Sequence, residues 1–99
     1  MYPLHLAYED GFENDSVVVQ VDGKEVARQV GLKSSLVTAL AATEEALVSA
    51  PAGTAQVTVP TRNLSASLNV DFSAQPHLAV AIRDGKLVLR SSSEPFHYM

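Results

Sequence analysis

The stretch HLAVAIRDGKLVLR, His77–Arg90, decides how the rest of the chain is read. Leu78, Val80 and Ile82 alternate before Asp84-Gly85, and Leu87 and Leu89 alternate after it, which is the period-two signature of strands. A two-residue type I′ turn needs positive φ at both central positions, a conformation that glycine accepts freely and aspartate tolerates. With Asp84 and Gly85 as the loop, Ile82 faces Leu87 and Val80 faces Leu89, while Arg83, Lys86 and Arg90 fall on the solvent side. Core and surface separate cleanly, so a hairpin is expected here.

The tripeptide Asp-Gly-Lys also occurs upstream, at Asp22-Gly23-Lys24, within VVVQVDGKEVARQV (Val17–Val30). A two-residue loop pairs Val21 with Lys24, Val19 with Val26 and Val17 with Arg28, keeping the valines largely on one face; a three-residue loop opposes Val19 to Ala27 and Val17 to Gln29. The two-residue turn is the expectation. A carboxylate and an amine on either side of a glycine therefore read as geometry used twice, not as a catalytic pair.

Alternation continues elsewhere. Leu4, Leu6 and Tyr8 suggest a first strand, and EDGFEND (Glu9 to Asp15) a polar loop around Phe12. Val57 and Val59, then Leu64, Ala66, Leu68, Val70 and Phe72, mark two more strands joined through Pro60 to Asn63, with a turn-rich break from Ser73 to Pro76. Ser34 to Gly53 is ambiguous. Its alanines and the Leu36, Leu40, Thr43, Leu47 spacing permit a short helix over 35–48, ended by Pro51 and Gly53. The other reading is a strand near Leu36 to Ala41, a turn at Thr43-Glu44-Glu45 and a strand near Ala46 to Ala50. Strands are preferred, because every neighbouring segment is strand-like and sandwiches turn every 8 to 12 residues or so. The expected fold is all-β: an immunoglobulin-like or prealbumin-like sandwich of about seven strands spanning 1–93, followed by an aromatic tail at 94–99.

Composition agrees with one folded domain. The chain has 99 residues, 46% hydrophobic and 18% charged, far from the signature of disorder. Eleven acidic against seven basic residues give a net charge of −4, and the cations are scattered, so a nucleic-acid partner is not expected. Without cysteine there is no disulfide, thiolate metal site or cysteine nucleophile. No run approaches the about 18 apolar residues of a membrane helix, and the start lacks signal-peptide character, so with Met1 as the native start a cytoplasmic protein without a membrane partner is expected.

Val19-Gln20-Val21-Asp22-Gly23-Lys24-Glu25-Val26, followed by APAGTAQVTVP at Ala50 to Pro60, resembles the small bacterial PEGA and carboxypeptidase regulatory-like β-sandwich modules of prealbumin-like or immunoglobulin-like topology. The resemblance covers about a third of the chain and lacks the Thr-Pro step often seen in PEGA modules. It implies an interaction or accessory module without catalytic residues, so no functional position is carried over.

The chemical candidates are few. His5, His77 and His97 titrate near neutrality but share no metal-ligand spacing. Asp10, Glu13 and Asp15 offer hard oxygen ligands, with His97 as a fourth metal candidate, yet their spacing is not that of a calcium loop. Ser34, Ser35 and Ser91 to Ser93 lack a nucleophile elbow, and the five glycines form no phosphate loop. No enzyme and no cofactor are expected. The leading expectation is an interaction module that binds a protein partner or itself through a sheet edge or through Phe96 and Tyr98 of the tail. The alternative is a metal or small-ligand domain using the acidic loop 9–15 and nearby histidines.

Overall fold

Both Asp-Gly pairs form turns, with φ of 49° and 85° at Asp22 and Gly23 and 54° and 72° at Asp84 and Gly85. They join two of the strand pairs in the computed structural model, which describes residues 1–34 and 40–96. Eight strands are present: β1 (Tyr2–Tyr8), β2 (Glu13–Val21), β3 (Lys24–Lys33), β4 (Ala42–Val48), β5 (Ala52–Val59), β6 (Leu64–Asp71), β7 (His77–Arg83) and β8 (Lys86–Ser92). A 3₁₀ turn, Pro60–Arg62, separates β5 from β6.

The β7–β8 hairpin has the expected register, with Ile82 opposite Leu87 and Val80 opposite Leu89. The β2–β3 hairpin begins as expected, with Val21 opposite Lys24 and Gln20 opposite Glu25. Its register then shifts, so that Val19 meets Ala27 and Val17 meets Gln29 instead of Val26 and Arg28. The cause is a bulge: Val26 is the extra residue on β3, and it stays partly buried against the core. The two-residue turn matches expectation and the register beyond it differs, because a bulge leaves no mark in simple alternation.

The strands form two four-stranded sheets, ordered β4-β1-β7-β8 and β3-β2-β5-β6, that pack as a sandwich. Consecutive strands β1 and β2 lie in different sheets, whereas constant-type immunoglobulin sandwiches keep their first two strands together. All pairings are antiparallel except β1 with β7, which run parallel with His5 opposite His77 and Ala7 opposite Ala79. Leu4, Leu6, Tyr8, Leu78 and Val80 from one sheet meet Val17, Val19, Val57 and Val59 from the other, all essentially inaccessible to water. Phe12 and Phe72, from the segments following β1 and β6, join the same core. Burial of each large side chain contributes about 1.5–3 kcal/mol, and this accounts for stability in a chain without disulfides.

The Ala-rich segment differs from expectation. Among the described residues there is no α-helix, and the expected turn at Thr43-Glu44-Glu45 lies within the first half of β4, paired in unbroken antiparallel register with β1. Pairing with β1 and burial of Ala46 and Val48 outweigh the local helix preference of alanine. Residues 35–39 of the expected helix or strand lie outside the described residues. With β4 a full strand, the count is eight instead of about seven.

After β8 the chain turns back, and Pro95 and Phe96 line the outer face of the β4-β1-β7-β8 sheet. The Arg90 guanidinium sits 5.0 Å from the Phe96 ring centroid, a cation–π distance. Phe96 is thus partly buried on its own domain, while His97 and Tyr98 lie outside the described residues.

Candidate functional site

The acidic loop is where the sequence pointed first, and the fold neutralises most of it. Glu9 is buried, and both of its oxygens accept from Arg90 Nη2 at 2.6 and 2.7 Å, with Arg83 Nη2 3.6 Å away. Arg83 Nε donates to Asp10 at 3.2 Å. Asp15 is buried as well: it accepts from the Glu13 amide, the Thr61 hydroxyl and Arg62, whose Nη2 lies 2.9 Å from Oδ2. Burial alone would raise the Asp15 pKa, but the Arg62 guanidinium, the Glu13 amide and the Thr61 hydroxyl together hold it below the usual carboxylate value. Glu13 is exposed.

These arginines come from β7, β8 and the 3₁₀ turn, so the loop is bound on several sides at once. Arg62 also donates to the Gly11 carbonyl at 2.8 Å, and Ser34 bridges the Phe12 amide and the Glu9 carbonyl. The arrangement fixes a loop across the end of the sandwich. Of the metal candidates, Asp10 and Asp15 face arginines, Glu13 projects to solvent, and His97 lies outside the described residues. Among the described residues no group of three or more His, Asp or Glu is disposed to hold a metal.

A second concentration of polar chemistry lies on the outer face of the β4-β1-β7-β8 sheet. Strand register places Glu45, His5, His77 and Ser92 in one row across all four strands, beside a row of Thr43, Ala7, Ala79 and Arg90. The small Ala7 makes the floor of an open trough of about 420 Å³, walled by His5, His77, Thr43, Glu45 and Phe96. The His5 and His77 rings stack with centroids 4.7 Å apart and planes 19° from parallel. Glu45 Oε2 lies 3.5 Å from His5 Nδ1. Burial, and then the adjacent His5, lower the His77 pKa below the ordinary histidine value.

The histidine pair was invisible in the sequence. His5 and His77 meet only because β1 and β7 pair in parallel, a long-range match that no local pattern announces. The alternation placing His5 on the face opposite Leu4 and Leu6 was the one available signal.

The sheet edges complete the candidate surfaces. The β3 edge carries Lys24, Arg28, Lys33 and the Val26 bulge; β4 carries Glu44 and Glu45; β8 carries Lys86 and Arg90. The β6 edge has no charge from Leu64 to Val70 and pairs with β5 without interruption over its whole length. Leu64 and Leu68 on β6 itself, and Leu87 and Leu89 on β8, which packs against β6, are only partly buried against the core.

The fold and these surfaces define the class as a two-sheet, all-β sandwich. Comparison of the chain with family models, curated proteins and solved structures gives no match. No helix among the described residues is long and apolar enough to cross a membrane.

Proposed function

We propose that the protein is a non-enzymatic interaction module, a sandwich of the prealbumin-like kind, which takes an extended strand from a protein partner or from a second copy of itself along β6. The observation carrying this reading is the contrast among the four edges. Natural sheets blunt their edges with lysines, inward charges and bulges, and three of the edges here do so. The β6 edge does not, and an added strand would cover the half-buried leucines on and beside it. Main-chain hydrogen bonds would supply affinity, as in other strand-addition complexes. Docking of Phe96 against Arg90 turns part of the aromatic tail toward its own domain and favours the edge over the tail as the binding element.

Self-pairing is tested by sedimentation equilibrium over a rising protein concentration. The expected result is a monomer–dimer equilibrium for the native chain that shifts to monomer in Ser67→Lys, which sets a cation in the middle of the edge. A dimer that persists in Ser67→Lys removes β6 as the interface. A native chain that stays monomeric removes self-pairing and leaves the partner version, for which a panel of extended peptides is the assay, read by protection of β6 amides from hydrogen exchange.

A further inference from the structure

We propose that His5 and His77 form a two-imidazole site for a divalent transition metal of the zinc or nickel type, with Glu45 orienting His5 and water completing the coordination. The site is independent of the β6 edge and uses a different sheet. Three features on the outer face of the β4-β1-β7-β8 sheet carry it.

The first is register. His5 and His77 are direct partners in the parallel β1–β7 pair, so both side chains leave the sheet side by side from rigid backbone. Their rings now stack at 4.7 Å. Imidazole χ2 is a soft torsion, and modest rotation of both rings turns one nitrogen of each toward a common point above the sheet without moving the strands. Imidazole ligands suit zinc, nickel and copper, which separates this site from a calcium or magnesium site.

The second feature is the neighbouring carboxylate. Glu45 Oε2 lies 3.5 Å from His5 Nδ1, so an Nδ1–H directed at Glu45 leaves Nε2 with its lone pair outward. Metal-binding histidines characteristically give their other ring nitrogen to such a carboxylate, which fixes the tautomer and raises ligand basicity. Glu45 acts here as a positioning residue, in keeping with the lack of a three-ligand cluster among the described residues.

The third feature is the setting. Ala7 lies on the trough floor and leaves room above the sheet, Thr43 and Phe96 wall the trough, and the trough is open to water on its remaining side. Arg90, in the adjacent row, is matched by the Glu9 carboxylate, so its charge is offset where a dication would approach.

The test is calorimetric titration of Zn²⁺ into the 99-residue chain carrying His97→Ala, which leaves His5 and His77 as its only imidazoles. One-to-one binding is expected, lost in His5→Ala and in His77→Ala, and weakened about 10-fold in Glu45→Gln through loss of the orienting carboxylate. A zinc-dependent rise in Tm should accompany binding and vanish with either histidine. Glutamine replaces alanine at either position if the alanine variant loses its cooperative metal-free melt. The proposal is overturned by absence of both heat and Tm shift, or by zinc binding that survives removal of His5 or of His77.

Discussion

At the scale of single residues, the glycines and aspartates of the turns are not equivalent. Gly11 has φ of +96°, and a Cβ there would run into the Ile82 carbonyl oxygen of β7. Gly11→Ala is therefore expected to cost about 3 kcal/mol, from positive-φ strain together with a backbone clash. Gly85, at φ +72° with open space where a methyl would project, should cost only about 1–2 kcal/mol on the same change. Urea unfolding of the two variants checks the difference. The aspartates diverge as well. Asp22 accepts from the Thr54 amide at 2.9 Å, and its own amide donates to the Thr54 carbonyl at 3.0 Å, tying the first turn to β5. Asp84 lies exposed at the tip of the second turn. Asp22→Ala should lose about 1 kcal/mol more than Asp84→Ala, because it removes a hydrogen bond between strands besides a turn preference. The repeated tripeptide thus solves one geometric problem twice but adds a tertiary contact only once.

At the scale of elements, the loop between β1 and β2 behaves as a clamp whose strength depends on pH. The folded pKa of Asp15 is lowered, so its contribution to stability is fully present above the ordinary aspartate value of about 3.9 and is lost as pH falls through the lower folded value. Stability measured by urea unfolding should decline as pH drops below about 4. Arg62→Ala, which removes the guanidinium and the bond to the Gly11 carbonyl, should lower stability at pH 7 and flatten that acid-side slope. An unchanged slope in the variant would assign the acid sensitivity elsewhere. The strands differ in how much of them the sequence revealed. β7 and β8 were legible because alternation, a two-residue turn and outward cations all agree. β4 was not, because carboxylates at Glu44 and Glu45 resemble a turn when the strands beside them are unknown. In the fold Glu45 faces outward, and Glu44 accepts a 2.5 Å hydrogen bond from the Tyr8 hydroxyl.

At the scale of the whole molecule, the two-layer, all-β architecture followed from period-two patterning, whereas the sheet order did not. Antiparallel neighbours joined by short turns leave a local trace; the parallel β1–β7 pair is specified by which faces must be buried together once every strand is in place. The histidine row and the closure of the acidic loop by Arg83 and Arg90 both depend on that pair, so the candidate site was hidden for the same reason as the topology. The loop looked like a ligand set because its counter-charges are distant in sequence, and those arginines looked like surface decoration because their carboxylates were equally distant.

The central place of β1 also governs the order in which the molecule can be completed. All members of the β3-β2-β5-β6 sheet have been synthesised once Asp71 is added, whereas β1, made before them, lacks its β7 neighbour until His77–Arg83 has followed. Until then Leu4, Leu6 and Tyr8 have only β4 beside them, and the inner face of that half-sheet stays incomplete. Sandwiches closed by such distant pairings fold slowly, in about milliseconds to seconds. The interval between synthesis of β1 and its closure is a period of exposed apolar surface, during which β1 depends on the β7–β8 hairpin for shelter.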